Sequence, residues 1–327
     1  MSAEIKNIAV MTSGGDAPGM NAAIRAVVRT AVFYDRKVFG VVKGYDGLIH
    51  GNFITLNAQS VCNILHYGGT FLKSARCLEF KEKEGRQKAY DSLKSMGIDA
   101  LVVIGGDGSF TGAHVLYNEF GIPVIGIPGT IDNDLAGTDF TIGFDTACNT
   151  AASAIDKIRD TASSHERLFF VEVMGRDSGS IAINAGIAGG AISTIIPESD
   201  ITIEDLIQTL KRGTGSDRST SLVIVAEGGH LGGAYQVAEM VKPLLPDYDI
   251  RVTILGHLQR GGAPSALDRV LASRLGVAAV EGLLKGAFDV MVGMINNAIV
   301  YTPLETALNS VKEPDPEDFR IAGILAI

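Results

Sequence analysis

Short, mostly apolar runs that end in glycine-rich turns recur along the chain. Five of them predict strands, at residues 7–10, 101–104, 122–127, 169–173 and 251–255. The turn after the first run leads into a stretch with apolar residues at helical spacing (Ala23, Val27 and Ala31), and the turn after the second leads into an amphipathic stretch through Leu116. This alternation is typical of an open, doubly wound α/β protein, whose ligands bind at the carboxyl ends of strands.

The turn after the third run, PGTIDND at residues 128–134, combines a hydroxyl group with two carboxylates. If the backbone stays extended there, Thr130, Asp132 and Asp134 share one side of it, because side chains alternate with a period of two. Two carboxylates on one side repel each other unless a metal ion, a cationic ligand or a proton-transfer role accounts for them. A polar turn is the alternative, since Pro, Gly, Asn and Asp are common turn residues.

The second run continues into GGDGS at residues 105–109. A glycine turn before a helix lets backbone N–H groups approach an anion. Asp107 would repel a bare phosphate but suits a Mg²⁺ ion that bridges phosphates. Tight packing alone explains many glycine turns. The presence of Asp132 and Asp134 after the next strand favours a metal-assisted phosphoryl-transfer site.

Six segments occur in the order and at the spacings of one protein family. They are TSGGDAPGMNAAIR, GGTFLKSAR, VVIGGDGS, PGTIDND, VEVMGRDSG and LGHLQRGG. The chain therefore resembles the bacterial-type ATP-dependent 6-phosphofructokinases (the phosphofructokinase A family) over nearly its full length. The resemblance implies an α/β fold of two similar doubly wound lobes with mostly parallel sheets. It also implies a nucleotide-binding lobe of residues 1–142 and 259–309, and a sugar-phosphate-binding lobe of residues 143–258 and 310–327.

By this resemblance, the chain is expected to be a glycolytic kinase that transfers the γ-phosphoryl group of ATP to the 1-hydroxyl of fructose 6-phosphate. Asp132 matches the family's proton acceptor, and Thr130 is expected to donate a hydrogen bond to the transferring phosphoryl group. Arg76 and Arg176 carry guanidinium groups that could meet the charge on the phosphoryl oxygens. A surface ion pair is the alternative for each arginine.

The resemblance also implies the remaining ligand contacts. Mg²⁺ is the expected cofactor, with Asp107 as a ligand and Asp134 holding a metal-bound water. The implied nucleotide-binding residues are Gly15, Arg76, Cys77, Gly106, Asp107, Gly108 and Ser109. The implied substrate-binding residues are Thr130, Ile131, Asp132, Met174, Gly175, Arg176, Glu227, His257, Leu258, Gln259 and Arg260. Arg167 and Arg251 match arginines that reach the same sugar phosphate from a neighbouring subunit, which implies a homotetramer with shared active sites.

Some positions depart from the family pattern. Lys73 stands in GGTFLKSAR where a glycine is common, and it would add positive charge near the nucleotide phosphates. The phosphate-binding arginines of the family's effector site match Arg25, Arg29 and Arg159. However, Ile192 stands where that site usually has a metal-binding glutamate, and Ala58 stands where it has an arginine. Ser216 and Arg218 replace its lysine-rich segment. The sequence therefore predicts weak activation by ADP and weak or altered inhibition by phosphoenolpyruvate, unless Arg212 or Arg218 restores the pocket.

Composition narrows the remaining possibilities. The length of 327 residues suits about two domains. A net charge of −9 argues against a nucleic-acid partner, because an acidic surface repels the duplex backbone. The three cysteines lack the CxxC spacing of a zinc site. The start of the chain lacks a secretory segment, and the apolar run 181–196 is too short and interrupted to span a bilayer. The sequence thus predicts a cytoplasmic protein without a membrane partner.

Three other functions share part of this pattern. A diphosphate-dependent phosphofructokinase typically has an acidic residue at the position of Gly108 and a lysine at that of Gly129. NAD and lipid kinases share the GGDG turn but lack PGTIDND and LGHLQRGG. A non-catalytic sugar-phosphate-binding relative would be expected to have lost Asp132 or a metal ligand, and all of these residues are present.

Overall fold

A computed structural model describes residues 4–163, 167–213 and 221–326, so Ser216 and Arg218 lie outside the described residues. The chain forms two compact units. One comprises Met1–Thr130, Leu135–Asp145 and Arg260–Val311, and the other comprises Ile131–Asp134, Thr146–Gln259 and Lys312–Ile327. Each unit has its own β-sheet.

The first unit is built on a seven-stranded sheet. Its strands are β1 (Asn7–Thr12), β2 (Lys37–Val41), β3 (Phe53–Leu56), β4 (Ala100–Gly105), β5 (Val124–Pro128), β10 (Val290–Ile295) and β11 (Ala298–Pro303). They lie in the order β11-β10-β5-β4-β1-β2-β3, and only the two edge pairs are antiparallel. Every residue of β4 and β5 is buried, as expected for central parallel strands that are covered on both faces.

Helices cover the two faces of this sheet. They are α1 (Met20–Phe33), α2 (Gly44–Ile49), α3 (Lys83–Ser95), α4 (Asp107–Phe120), α9 (Ala266–Lys285) and α10 (Leu304–Asn309), with a short 3-10 helix at Glu79–Lys81. Helix α1 packs against α9. Leu48 of α2, Leu93 of α3 and Phe110 of α4 belong to one hydrophobic cluster with β1 and β4. Burial of these apolar faces fixes the positions of the strand ends and of the turns that follow them.

The second unit contains a four-stranded parallel sheet. Its strands are β6 (Arg167–Val173), β7 (Ser193–Ile195), β8 (Ser221–Ala226) and β9 (Asp249–Ile254), in the order β7-β8-β6-β9. The helices of this part of the chain are α5 (Phe144–Ser163), α6 (Ser180–Gly189), α7 (Ile203–Gly213), α8 (Ala234–Val241) and α11 (Pro316–Leu325), with a 3-10 helix at Gly256–Arg260. Leu206 and Leu210 of α7 and Val237 of α8 pack with β6 and β8 in one core cluster.

The predicted α/β fold with mostly parallel sheets is confirmed. The five predicted strands all form, each with bounds within a few residues of its apolar run. The extended conformation considered for residues 128–134 does not hold: the backbone bends at Ile131 and Asp132, and Asn133 has a left-handed φ of 53°. None of the helices among the described residues has the length and apolar character that crossing a membrane requires.

Candidate active site

The carboxyl ends of β1, β4 and β5 lie side by side in the first unit, because these strands are parallel neighbours. Two backbone hydrogen bonds extend the pairing into the turns. Ser13 N–H donates to Ile104 O at 3.0 Å, and Gly129 N–H donates to Gly105 O at 2.9 Å. Three of the turns predicted to carry chemistry therefore begin at the same edge of one sheet.

The last residue of β4, Gly105, has to be glycine because other groups approach it closely. A Cβ there would lie 2.5 Å from Ser109 Oγ and 2.6 Å from Ser13 O. Helix α4 then starts at Asp107, and no side chain caps its N-terminus at Gly106. Asp107 and Gly108 are exposed, and a Cβ on Gly108 would meet no atom within 4 Å. This end of α4 therefore presents exposed backbone and one carboxylate.

Buried polar side chains fix the first turn of α4 and the loop at residues 67–73. The Tyr45 hydroxyl donates to Ser109 O, and burial raises the pKa of Tyr45, so it stays a neutral donor. The buried Asn21 donates to Tyr67 O at 3.0 Å and accepts from Phe71 N–H at 2.6 Å. Lys73 has a left-handed φ of 61°, a conformation that glycine adopts more readily than lysine.

Two predicted nucleotide-binding residues follow the loop at residues 67–73, and they differ in exposure. Arg76 is exposed, whereas Cys77 is half-buried and packs against the hydrophobic cluster of the first unit. Burial raises the pKa of the Cys77 thiol. Since the thiolate is the nucleophilic form, Cys77 is suited to packing rather than to covalent chemistry.

Arg260 lies in the first unit against the N-terminal glycine turn. Its Nη1 donates to Asp16 O at 3.2 Å, and a Cβ on Gly15 would lie 2.7 Å from the same nitrogen. The sequence predicted Arg260 to contact the sugar phosphate, and the structure places its guanidinium group beside the predicted nucleotide turn. Gly15 is the residue whose small size permits this contact.

The two halves of PGTIDND belong to different units. In the first unit, Thr141 Oγ1 donates to Thr130 O at 2.6 Å. In the second, Asp132 is buried to 3% exposure and Asn133 to 7%. Lys312 Nζ donates to Asn133 Oδ1 at 2.9 Å, so a residue 179 positions later holds the turn that carries Asp132. The left-handed φ of Asn133 is one that asparagine adopts more readily than most residues.

In the second unit, the carboxyl ends of β8, β6 and β9 bring together three predicted substrate-binding residues. Arg176, Glu227 and His257 follow these neighbouring strands and are all exposed. Glu227 N–H donates to Val173 O at 3.0 Å, and Leu255 N–H donates to Glu172 O at 3.0 Å. These bonds keep the turns adjacent, as in the first unit.

The conformation of Arg176 is strained and is held by its neighbours. Its φ is 53°, and its N–H donates to Glu227 Oε1 at 3.0 Å. A Cβ on Gly228 would lie 1.8 Å from Arg176 O, so only glycine fits there. Strained backbone that several contacts maintain is common at functional sites.

The other predicted substrate residues of this edge vary in exposure. Met174 is buried and Leu258 is 70% exposed. Gln259 is fully buried, and its Nε2 donates to Gly256 O at 3.3 Å. The Gln259 side chain therefore supports the short 3-10 helix that positions His257.

Arg167 and Arg251 do not lie at this edge. Arg167 begins β6, and each strand residue adds about 3.3 Å, which places it about 20 Å from Val173. Both arginines bind Asp249, through Arg167 Nε at 2.8 Å and Arg251 Nη2 at 3.0 Å. The substrate-binding residues predicted in the second unit thus fall at two separate edges of its sheet.

The predicted effector residues also fall into two groups. Arg25 and Arg29 lie one turn apart on α1 of the first unit. Arg159 lies on α5, and its Nη2 donates to Gly190 O at the C-terminus of α6. Ile192 and Arg212 line one pocket of about 380 Å³ beside α11. Arg159 therefore has a structural role as a helix cap in addition to any effector contact.

The donor set for a metal ion is small. Among the described residues, no three acidic, histidine or cysteine side chains converge as a metal cage would require. Asp107 is exposed at the start of α4, and Asp134 is half-buried. Single carboxylates of this kind fit Mg²⁺, which often takes one or two protein ligands and completes its shell with phosphates and water.

Three polar residues with clear structural roles near these turns were missed by sequence reasoning. Asn21 anchors the loop at residues 67–71, and Lys312 holds Asn133. Asp268 is fully buried, and its Oδ1 accepts from Gly143 N–H at 2.8 Å. The pattern of Ser265 three residues before Asp268, where the Ser265 hydroxyl accepts from Asp268 N–H, is a recognisable helix-start signal. The two long-range contacts leave no comparable local pattern.

Comparison with known proteins agrees with this architecture. The family model described as "Phosphofructokinase" matches residues 7–283. The "ATP-dependent 6-phosphofructokinase" of Cytophaga hutchinsonii is 57% identical over 96% of this chain and 95% of its own length. The "ATP-dependent 6-phosphofructokinase 1" of Thermus thermophilus is 51% identical over 99% of this chain and all of its own.

Solved structures give the same result. Phosphofructokinase from Saccharomyces cerevisiae superposes with a TM-score of 0.87 at 38% identity, over 93% of this chain and 44% of the yeast chain. A pyrophosphate-dependent phosphofructokinase from Marinobacter aquaeolei superposes with a TM-score of 0.84 at 26% identity, over 99% of this chain and 92% of its own. The matched family model covers most of the chain, and the curated relatives align over nearly all of it. The chain belongs to the phosphofructokinase family.

Proposed function

We propose that this chain is an ATP-dependent 6-phosphofructokinase, which transfers the γ-phosphoryl group of ATP to the 1-hydroxyl of fructose 6-phosphate and releases ADP and fructose 1,6-bisphosphate. The observation that carries the proposal is the buried turn that holds Asp132, with Lys312 bound to its neighbour Asn133. The full-length similarity to proteins named for this activity supports it. The cytoplasmic location stays a prediction.

In this proposal, Asp132 accepts the proton of the sugar's 1-hydroxyl as that oxygen attacks phosphorus. A positioned base contributes about 10²–10⁴-fold to the rate. Thr130 donates a hydrogen bond to the transferring phosphoryl group. Arg76 and Arg176, both exposed, supply positive charge to its oxygens, an electrostatic effect that is usually the largest in such reactions.

The nucleotide is proposed to lie in the first unit against the turns after β1 and β4. The contacts are Gly15, Arg76, Cys77, Gly106, Asp107, Gly108 and Ser109. Mg²⁺, when bound, would neutralise phosphate charge there, with Asp107 as a ligand and Asp134 holding one of its waters. The uncapped start of α4 suits phosphate oxygens, because its N–H groups have no side-chain acceptor at Gly106.

The sugar phosphate is proposed to lie against the carboxyl edge of the second sheet. There Glu227 can accept hydrogen bonds from sugar hydroxyls, and the exposed His257 can donate to the 6-phosphate. Arg260, whose Nη1 also donates to Asp16 O, is assigned to the same phosphate. Met174, Gly175, Ile131, Leu258 and Gln259 shape the surroundings of this site.

A homotetramer with shared active sites is part of the proposal. Arg167 lies about 20 Å along β6 from the residues that follow Val173. An arginine side chain is too short to cross that distance, so Arg167 could contact a sugar phosphate only on a neighbouring copy. Arg251 pairs with Asp249 beside it and is assigned to the same role.

The donor is proposed to be ATP rather than diphosphate. A Cβ on the exposed Gly108 would meet no atom within 4 Å, which leaves open space at the start of α4 for the rest of a nucleotide. The fold alone does not discriminate between the two phosphoryl donors, since a pyrophosphate-dependent phosphofructokinase shares it. We therefore expect high efficiency with ATP and little or none with diphosphate, measured in one coupled assay with fructose 6-phosphate. Comparable efficiency with both donors would contradict this assignment.

Regulation is proposed to be weak. Ile192, which lines one pocket with Arg212, cannot bind a metal ion, and the predicted effector residue Arg159 already caps α6. Arg25 and Arg29 remain as phosphate-binding candidates on α1. Velocity curves against fructose 6-phosphate with added ADP or phosphoenolpyruvate test this point. Strong shifts at sub-millimolar effector would contradict it.

The central test replaces Asp132 with Asn, which preserves shape but removes the proton acceptor. We expect turnover to fall by about three decades while fructose 6-phosphate still binds. Asp35→Asn, at an exposed and left-handed position of the first unit, is the matched control and should keep full activity. Near-normal turnover in folded Asp132→Asn protein would remove Asp132 from the mechanism.

A further inference from the structure

The amino-terminal edge of the second sheet carries three charged side chains in one cluster. Arg167, the first residue of β6, lies in register with Asp249, the first residue of β9. Asp249 and Arg251 project from the same face of β9, because side chains alternate along a strand. A single oxygen, Asp249 Oδ2, accepts from Arg167 Nε at 2.8 Å and from Arg251 Nη2 at 3.0 Å.

These two bonds leave most of the guanidinium donors available. A guanidinium group has five N–H donors in a fixed plane. Among the residues that the structure describes, Arg167 uses Nε and keeps both of its Nη groups, and Arg251 uses only Nη2. The Arg167 and Arg251 side chains are 24% and 52% exposed, respectively. Two cations and one anion leave the cluster with a net positive charge, which suits a phosphate group.

We propose that Asp249 is a positioning residue that holds Arg167 and Arg251 side by side as one binding site for the 6-phosphate of a substrate on a neighbouring copy. The inference rests on the proposed function, in which these two arginines bind that phosphate. Without Asp249, the two guanidinium groups repel each other and each side chain samples several rotamers. Phosphate binding would then have to order both side chains.

A competing effect has the opposite sign, because the Asp249 carboxylate also repels a phosphate. This repulsion is weak here. Asp249 is 44% exposed, so solvent of high dielectric constant surrounds it and salt screens its charge. The ordering of two long side chains is the larger effect. Removal of Asp249 should therefore weaken binding of the sugar phosphate.

The test measures kcat and both KM values for wild type, Asp249→Ala and Asp249→Glu at fixed ionic strength. Asp249→Ala should raise KM for fructose 6-phosphate about 5- to 30-fold, equivalent to about 1–2 kcal/mol at 1.4 kcal/mol per decade. kcat and KM for ATP should change less than twofold. Asp249→Glu, which restores the charge, should recover part of the loss. Asp247→Asn, an exposed aspartate two residues earlier, is the control and should match wild type.

A double-mutant cycle separates positioning from a general effect on the sheet. If Asp249 acts through Arg251, then Asp249→Ala should raise KM by a smaller factor in an Arg251→Ala background than in wild type. Equal factors in the two backgrounds, or an unchanged or lower KM in Asp249→Ala, would overturn the inference. If Asp249→Ala folds poorly, Asp249→Asn provides the same comparison. A folded wild type without phosphofructokinase activity would instead contradict the proposed function.

Discussion

Gly228 allows the strained backbone of Arg176 to pass close beside it, and Gly228→Ala should therefore displace Arg176. The added Cβ would lie 1.8 Å from Arg176 O and 2.8 Å from Arg176 C. Both are backbone atoms, so no side-chain rotation relieves the clash. To lengthen the distance between the added Cβ and Arg176 O from 1.8 Å to at least 3.0 Å, the turn that contains Gly228 or the turn that contains Arg176 has to shift by about 1.2 Å.

The size of the expected effect follows from that shift. Arg176 already has a φ of 53°, and Glu227 Oε1 accepts a hydrogen bond from its N–H. The turn therefore has little freedom to adjust, and the Arg176 guanidinium moves with its backbone. Misplacement of a substrate-positioning group by about 1 Å can cost about 10²-fold in rate. We expect kcat/KM for fructose 6-phosphate to fall about 10²-fold, or about 2.7 kcal/mol.

The assay is steady-state kinetics with fructose 6-phosphate and ATP varied separately. KM for ATP should stay within about twofold of wild type, since Gly228 belongs to the second unit and the proposed nucleotide contacts belong to the first. Gly229→Ala is the matched control: a Cβ there has its nearest neighbour at 3.6 Å, an ordinary contact, so activity should be preserved. A folded Gly228→Ala enzyme with wild-type kcat/KM would refute the link between this turn and sugar-phosphate binding.

Three further changes have defined outcomes. Gly108→Asp should fold normally, since its Cβ meets no neighbour, but should raise KM for ATP about tenfold or more through repulsion of the phosphates, as steady-state kinetics would show. Glu119→Gln should lower the free energy of unfolding at pH 7 by about 1–2 kcal/mol, because Glu119 accepts two hydrogen bonds from Arg86. That pair lowers the pKa of Glu119, so the difference from wild type in urea unfolding should be complete above about pH 4.5 and disappear as the pH falls through the lowered pKa. Lys312→Met removes the donor to Asn133 Oδ1 and should lower kcat about tenfold with little change in KM. Lys312→Arg keeps a cationic donor and should recover part of the lost kcat.

Local sequence was sufficient to predict the strands and the turns after them. The apolar runs at β4 and β5 are buried on every residue, and glycine follows each at a position where backbone continues the sheet hydrogen bonding. Such signals depend on neighbouring residues in the chain. For residues 128–134 the sequence left an extended segment and a polar turn open, and it could not decide between them. The structure has the bend, with Asn133 in a left-handed conformation.

Contacts between distant segments were beyond sequence reasoning. Lys312 reaches Asn133 across 179 residues, and Arg167 reaches Asp249 across 82. Asn133 belongs to PGTIDND and Arg167 was predicted to bind phosphate, but no local pattern connects either residue with its distant partner. The register of β6 with β9 is what brings Arg167 and Asp249 together, and register becomes known only when the sheet order is known.

The net charge of −9 is compatible with anionic substrates because charge acts over short distances in salt. At physiological ionic strength the Debye length is about 8 Å, so most of the acidic surface is screened from any one site. The sign of the electrostatic potential at each proposed site is set by the groups close to it. These groups are the exposed Arg76 and Arg176, the start of α4, and the pair formed by Arg167 and Arg251. Asp249 is a local acidic group that helps to concentrate positive charge. Its carboxylate binds two guanidinium groups, so both arginines stay close together and the cluster keeps a net positive charge. We therefore expect the proposed anion sites of this chain to depend on contacts within a few ångströms and not on its overall acidity.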